Sequence, residues 1–343
     1  MDKRFKKLEL LFEKCDNEDL FIGEAYKQRI PYGYTNVELA SDLNKILGTT
    51  YRESYLRGKG QNFNKGREYL HNNNKFNKSI MFINDIHSPY EREDLLSIIS
   101  KHANEITTLV IGGDLMDCES ISSFPKISRM SLLNELLYTY NLLKKIRKIL
   151  NRDQNIIIIN GNHEERLRTM ICKMHEKDLQ KFINPNILEM LVDGFTIYED
   201  NKKVKYEGIE GITYIPHWYA NIDDKIIISH PKDFSAVDGK MCEKVSEHFL
   251  NKHENFEVLV FAHTHKYSQM KVSRRQGVFV VENGCLCKPH DYSDTGKLGF
   301  TPQDYCYTII KYNNDEKINL NNIKVYQLDE IENKQEEYKV ILK

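Results

Sequence analysis

Five short segments carry residue types suited to binding metal: Asp85-Ile86-His87, Gly113-Asp114-Leu115-Met116-Asp117, Gly161-Asn162-His163-Glu164, Ser229-His230-Pro231 and Ala262-His263-Thr264-His265. Imidazole nitrogen with carboxylate or amide oxygen, and no thiolate, suits a pair of divalent transition-metal ions: manganese first, with iron, zinc, cobalt or nickel behind it. Asp85 and His87, two apart at an extended strand end, leave one side and can bind one ion. His263 and His265 share that spacing, and each can reach a different ion. A carboxylate has two oxygens, so Asp114 can bridge ions held roughly 3.5–4 Å apart. Such a pair stabilises both the attacking and the leaving oxygen of a displacement and lowers the pKa of a bound water. Phosphoester hydrolysis, among the slowest uncatalysed reactions, needs that help. His163, directly after Asn162, projects beside the ions as a general acid for the leaving oxygen or a charge stabiliser for the phosphoryl group. Asp117, three after Asp114, can orient that imidazole. Arg166 and Arg168 open the following helix and can clamp a phosphate.

Singly, each motif is cheap. A D-x-H pair is more often decoration than a site, and a histidine before proline is usually one satisfied by its surroundings. Five matches in one order at strand ends reverse that reading. His71, His102, His175, His217, His248, His253 and His290 lack ligand spacing, although His217 beside Trp218 and Tyr219 can line a cleft.

The elements that must position these segments alternate. Ser79–Asn84, Thr108–Ile111 and Asn155–Asn160 read as buried strands, with helices over Arg92–Ser100, Leu132–Leu150 and Glu164–Lys181 between and after them. That order implies parallel pairing in an α/β fold, and ligands in such sheets bind beyond the carboxyl ends of strands. Lys225–Ser229 and Val258–Phe261 flank a helix over Lys240–Asn251. Met270–Val272, Val278–Val281, Tyr305–Lys311 and Ile323–Leu328 follow as hairpin-linked strands. Two face-to-face sheets with helices outside fit both halves. Lys181–Tyr219 is weakly patterned and reads as an insertion, within a domain spanning 79–343.

The D-x-H, GD-x-x-D, GNHE, lone His and H-x-H series, in this order, resembles the calcineurin-like metallophosphoesterases over roughly Ser79 to Lys311. The resemblance implies a β-sandwich of two mixed sheets flanked by helices. It also implies one ion on Asp85, His87, Asp114 and His265, a second on Asp114, Asn162, His230 and His263, and His163 as the catalytic histidine. Residues 161–167 (GNHEERL) and Gly284-Cys285-Leu286-Cys287, followed by Tyr292 and Gln303, are most similar to bacteriophage and prophage members. Two departures stand out. Ala262 replaces the glycine usual before H-x-H, which matters where the backbone needs a positive φ. Cys118 stands where the protein Ser/Thr phosphatase branch carries a phosphate-binding arginine, which argues against that branch.

Residues 1–78 read as a separate helical region. Lys3–Lys14 is amphipathic, and Thr35-Asn36-Val37-Glu38 is a capping box opening a helix that ends near Gly48. Thr50-Tyr51-Arg52-Glu53 repeats the signal for a short helix ending near Gly58. So tight a pair can form a helix-turn-helix. Asn72-Asn73-Asn74 reads as a linker. Arg52, Arg57, Lys59, Lys65 and Arg67 with Tyr51, Tyr55 and Phe63 compose a basic, aromatic patch suited to DNA or RNA.

A chain of 343 residues with 40% hydrophobic and 29% charged content is ordinary for a globular enzyme, and its net charge of -1 excludes a whole-molecule attraction to nucleic acid. No stretch approaches the roughly 20 apolar residues of a membrane span, and the opening segment lacks a signal-peptide core. Seven scattered cysteines without C-x-x-C point to a reduced, cytoplasmic setting. The expected activity is hydrolysis of phosphoesters, nucleic-acid phosphodiesters first. The alternatives are a phosphomonoesterase on small molecules or phosphoproteins, and a DNA-binding protein using the domain as scaffold.

Overall fold

The computed structural model describes residues 3–15, 17–73, 76–123, 130–173, 184–272, 277–289 and 303–329, with the side chains of 65–73 left out. Asn74, His175, His290, Tyr292 and the end of the expected Glu164–Lys181 helix therefore lie outside the described residues, as do the side chains of Lys65, Arg67 and His71. The chain divides into two compact units, Met1–Lys75 and Phe76–Lys343.

The first unit holds α1 (Lys3–Phe12), α2 (Glu18–Lys27), α3 (Asn36–Leu47) and α4 (Glu53–Asn73). Leu8, Phe21, Ile22, Leu39, Leu43 and Leu56 are fully buried between them. The Thr35 capping box forms, with Thr35 N donating to Glu38 Oε2 at 2.9 Å and Glu38 N to Thr35 Oγ1 at 3.3 Å. Gly48, at φ 66°, ends α3. Asn44 then clamps the turn, accepting from Tyr51 N at 3.0 Å and donating to Tyr51 O at 2.8 Å. Sequence periodicity missed α2, whose signal is the Asn17 cap followed by Glu18 and Asp19.

The expected stop near Gly58 is a correction, because α4 runs 21 residues. Helix-interior glycine costs about 1 kcal/mol against alanine. Here packing outweighs it. The Tyr26 ring of α2 lies on Gly60, and the Phe63 ring of α4 lies on Gly23. The missing side chains let the two helices approach.

The second unit is built on two sheets. In the first, β1 (Lys78–Ile83), β2 (Thr108–Ile111), β3 (Asn155–Ile159) and, beyond it, β6 (Ile212–Ile215) run parallel. Later in the chain β12 (Cys306–Tyr312) joins β1 antiparallel, and β13 (Ile323–Gln327) pairs on β12. In the second sheet β8 (Ile226–Ser229), β9 (Val258–Phe261) and β11 (Val278–Asn283) are parallel. Edge strands β7 (Tyr219–Ile222) and β10 (Tyr267–Val272) run antiparallel to β8 and β11. The remaining strands, β4 (Gly194–Glu199) and β5 (Lys202–Glu207), form a hairpin whose turn residues Asp200 and Asn201 both have positive φ.

Strand alternation sorts the apolar runs into layers. Ile80, Phe82, Val110, Ile226, Ile228, Val258 and Val260 meet between the sheets. Met81, Ile83, Leu109, Ile156 and Ile158 face the other way, onto α5 (Leu95–His102), α6 (Leu132–Ile149), α7 (Glu165–Lys173) and α8 (Ile187–Asp193). Ile227, Leu259 and Phe261 pack on Met241, Val245 and Phe249 of α9 (Lys240–Asn251). Coverage on both faces is why these strands read as unbroken apolar runs. The weakly patterned 184–219 contains α8, the hairpin and β6, an edge strand of the first sheet.

Two substitutions test the α2–α4 contact by opposite signs. A Cβ at Gly58 meets nothing within 4 Å, whereas one at Gly60 comes within 2.7 Å of the Tyr26 ring. Gly58→Ala should stabilise by up to about 1 kcal/mol in urea unfolding, while Gly60→Ala should destabilise. Stabilisation by both would mean the glycine contact is not what joins the helices.

Candidate metal centre

All five sequence segments start where a buried strand ends: β1, β2, β3, β8 and β9. Backbone bonds extend the sheet pairing into the loops, with Asp85 N to Gly113 O at 3.2 Å and His87 N to Asp114 O at 2.9 Å. Asp85, His87, Asp114, His263 and His265 all adopt positive φ, between 47° and 88°. Left-handed backbone costs roughly 1–2 kcal/mol for a residue with Cβ, and Asp and His are among the types enriched there. Ala262 is not among the positive-φ residues, which explains why glycine is unnecessary at that position. At Gly161 the absence of a side chain is required, because a Cβ there would overlap Asp114 N and Oδ1.

The loops are locked together by groups the sequence left with minor parts. Glu164, expected only as a favourable first-turn residue, accepts from Gly161 N at 2.9 Å, Asp114 N at 3.2 Å and Met116 N at 3.0 Å. Its carboxylate thus ties the loop after β3 to the loop after β2. Asp114 Oδ1 accepts from His163 N at 2.9 Å, and Asp85 Oδ2 accepts from His263 N at 3.0 Å. Only the order Gly-Asn-His-Glu hinted at Glu164.

The side chains converge. His87 Nδ1 donates to Asp117 Oδ1 at 2.9 Å, leaving its Nε2 lone pair 3.7 Å from Asp85 Oδ1 and 3.8 Å from Asp114 Oδ2. His265 Nε2 lies 3.1 Å from His87 Nε2 and 3.4 Å from Asp85 Oδ1. His230 Nδ1 donates to Gly112 O at 2.9 Å, so its Nε2 lone pair faces Asp114 Oδ2 at 3.1 Å, with Asn162 Oδ1 also at 3.1 Å. His263 stands with Asp114 and His230, donor atoms within 4.8 Å of one another. Asp85 and Asp114 are buried, and among the described residues Asp85 Oδ1 has no hydrogen-bond donor. Acceptors turned on one another in a dry site fit cations, and the donor set suits divalent metal.

Charge follows the same logic. Burial opposes a charged His87, but its hydrogen bond to the Asp117 carboxylate and the nearby Asp85 and Asp114 carboxylates outweigh burial and raise its pKa to about 9. Burial also opposes charge on His230, and the Asp114 carboxylate lifts it to about 9. His263 moves the other way, to about 4, through burial and the neighbouring His230.

His163 Nδ1 donates to Asp117 O at 2.7 Å, with Asp117 Oδ1 at 3.1 Å. Arg166 Nη2 donates to His163 Nε2 at 2.8 Å and Arg166 Nη1 to Asp117 O at 2.7 Å. A guanidinium has no acceptor, so Nε2 carries the lone pair and Nδ1 the proton. Arg168 points elsewhere. It is exposed and lines a cavity of about 400 Å³ with Glu165, Asn184, Asn186 and Glu189. Sequence reasoning named Cys287 and Gln303 only for their likeness to phage members and gave them no place at the site, where their Sγ and Nε2 lie 4.0 and 3.0 Å from His265 Nδ1.

The model of the calcineurin-like phosphoesterases, Metallophos, matches residues 78–267. Among solved structures, the chain is similar to a novel archaeal phosphodiesterase at 16% identity, covering 73% of this chain and 99% of that chain with a TM-score of 0.33. Zinc-complexed Vps29 from Entamoeba histolytica gives 13% identity, 73% and 98% coverage and a TM-score of 0.33. A predicted phosphoesterase from Streptococcus pneumoniae gives 10%, 73%, 98% and 0.26. No curated protein matches.

Behind Asp117 lie two more buried acids, Glu119 and Glu135. Glu135 accepts from Glu119 N at 2.8 Å, yet burial, with the charges of Asp117 and Glu119, raises its pKa to about 7. An unfolded glutamate titrates near pH ~4.3. Between these values the folded chain holds a proton that the unfolded chain has lost. This contribution is therefore full below pH ~4.3 and disappears as pH rises through 7. Glu135→Gln should flatten the fall in unfolding free energy between pH 5 and pH 8, measured in urea. An unchanged slope would assign that proton elsewhere.

Proposed function

The chain belongs to the calcineurin-like phosphoesterase family, and from that premise we propose a binuclear enzyme that hydrolyses nucleic-acid phosphodiesters. Membership itself carries metal-dependent phosphoester hydrolysis. The observation supporting a cation pair is the set of buried acceptors around Asp114, with His230 Nε2 at 3.1 Å and Asp85 Oδ1 without a donor. Asp85, His87, Asp114 and His265 would hold one ion, and Asp114, Asn162, His230 and His263 the other, manganese being the leading metal. When bound, such a pair supplies Lewis-acid polarisation of the phosphoryl group and an activated water nucleophile.

The chain's own residues do the rest. Asp117 holds the Nδ1 side of both His87 and His163, fixing which nitrogen of each ring faces the centre. His163 Nε2 is the atom that delivers a proton to the leaving oxygen. It must first take that proton up, since burial holds the free imidazole below its ordinary value. A phosphodiester anion seated between His163 and Arg166 favours that protonation, and the guanidinium steadies a phosphoryl oxygen.

The nucleic-acid reading draws on the phage-like segments and on the α3–α4 pair, where Tyr51 and Tyr55 are exposed with ring centroids 4.9 Å apart and Arg52 is exposed beside them. Exposed aromatic rings with basic neighbours suit stacked bases. A second reading, a phosphomonoesterase on small molecules, is favoured by the ion pairs of the same region. Lys59 is held by Glu18 and Asp19 at 3.0 and 2.6 Å, and Arg57 by Glu53 at 3.4 Å, which leaves less free positive charge. Phe63 packs on Gly23 instead of joining the patch.

Turnover of bis-p-nitrophenyl phosphate, p-nitrophenyl phosphate and DNA, with and without chelator, separates these readings. The diester and DNA should be preferred, and chelation should abolish hydrolysis. Activity surviving thorough chelation would sink the proposal. His163→Ala should lower kcat by about 10²–10⁴-fold with metal content intact, and more on DNA than on p-nitrophenyl esters, whose leaving group needs less protonation. Equal losses would recast His163 as a phosphate binder. Arg52→Glu should weaken DNA binding, most at low salt, while leaving small-diester turnover unchanged. Unchanged binding removes α3–α4 from substrate recognition.

A further inference from the structure

The sheet edge that carries the metal centre continues past it. β3 and β6 run parallel, with Ile159 paired to Ile215, and Asn160 and Pro216 follow directly at their carboxyl ends. Parallel sheets bind ligands beyond such ends. There a cavity of about 400 Å³ opens, lined by Asn160 and Pro216. One wall is a single face of α7, where Glu165, Arg168 and Cys172 recur at helical spacing with Ile171 beside them. A second wall is Asn184, Pro185 and Glu189, around the start of α8. The volume falls within the roughly 300–1,000 Å³ of small-molecule sites. Glu164 joins cavity to centre, lining the first while it accepts from Asp114 N at 3.2 Å.

We propose that this cavity receives the base of a nucleotide bonded to the scissile phosphate. This rests on the nucleic-acid phosphodiester reading and adds a subsite to it. Charge decides between a base and a second phosphate. Three carboxylates, Glu164, Glu165 and Glu189, line the cavity against one guanidinium, that of Arg168. Lys232, paired with Glu165, brings the cations to two. Even with Glu164 set aside the charges only balance, so a phosphate would find no net positive field there. A base is neutral and needs apolar faces with hydrogen-bonding edges. Ile171, Pro185 and Pro216 supply the apolar surface. Asn160 Nδ2 donates to Glu165 Oε1 at 3.2 Å, and Asn184 Oδ1 accepts from Asn186 N at 2.9 Å, which holds both amides in place. Asn160 Oδ1 is left as an acceptor and Asn184 Nδ2 as a donor. Adenine carries the complementary pair on one edge, the N6 donor beside the N7 acceptor. Among the described residues Arg168 has no ion-pair partner, so its N–H groups are open to the same ligand.

Cys172, exposed on the cavity wall, reports occupancy without any metal chemistry. The full chain is alkylated with iodoacetamide in the presence of adenosine or of ribose 5-phosphate, and the Cys172 peptide is followed by mass spectrometry. Adenosine should slow alkylation of Cys172 severalfold and leave Cys15 unaffected, and ribose 5-phosphate should protect neither. Arg168→Ala should weaken the protection and raise KM for the dinucleoside monophosphate ApA about tenfold, with less effect on kcat, as loss of a binding contact does. No protection by adenosine, or equal protection by ribose 5-phosphate, overturns the inference and leaves diester hydrolysis to its own assay. A fall in kcat alone in Arg168→Ala also counts against it, since a structural role would produce that. Protection by adenosine in a chain that hydrolyses no diester overturns the phosphodiester reading, and with it the link between this cavity and the scissile phosphate.

Discussion

The repulsion among buried acceptors at Asp85 and Asp114 shapes everything around it. Two carboxylates with almost no exposure would be driven apart or protonated unless the fold held them and positive charge answered them, from protons on His87 and His230 or from cations in their place. The fold holds them through backbone. Five of the converging residues sit in left-handed turns, Gly161 yields its side-chain space to Asp114, and Glu164 pins three backbone N–H groups across two loops. Histidine rings are oriented from behind, by Asp117 and by the Gly112 carbonyl, so that Nε2 of His87 and of His230 turns inward to the carboxylates.

That arrangement needs a rigid frame, and the sandwich supplies one. The parallel strands β1, β2 and β3 of one sheet and β8 and β9 of the other end at a common edge, and covered faces leave them no freedom to slip register. Backbone strain of several kcal/mol at the loops is tolerable because the strands beneath are buried on both faces. Stability and function are thus drawn from different layers of one unit.

Much of this was legible in the residues. Periodicity located the strands under each motif, and donor chemistry picked out the converging side chains. What escaped depended on contacts between distant segments. Glu164 looks like any first-turn acid until Gly161, Asp114 and Met116 N–H groups are seen to meet on it. Cys287 and Gln303 sit 22 and 38 residues after His265, with no spacing rule to join them. Arg166 and Arg168, two apart on a helix, point in different directions, which a count of basic residues does not reveal. In α4 the glycines that read as a stop are instead the places where α2 comes close.

The central claim is that Asp114 joins two cations in one buried site. Metal content of the purified full chain after manganese supply and dialysis tests it most directly, together with the same measurement on Asp114→Asn. Two ions per chain in the parent and no more than one in the variant are predicted. A parent that holds one ion or none, or a variant that keeps both, would contradict the bridging carboxylate on which the account is built.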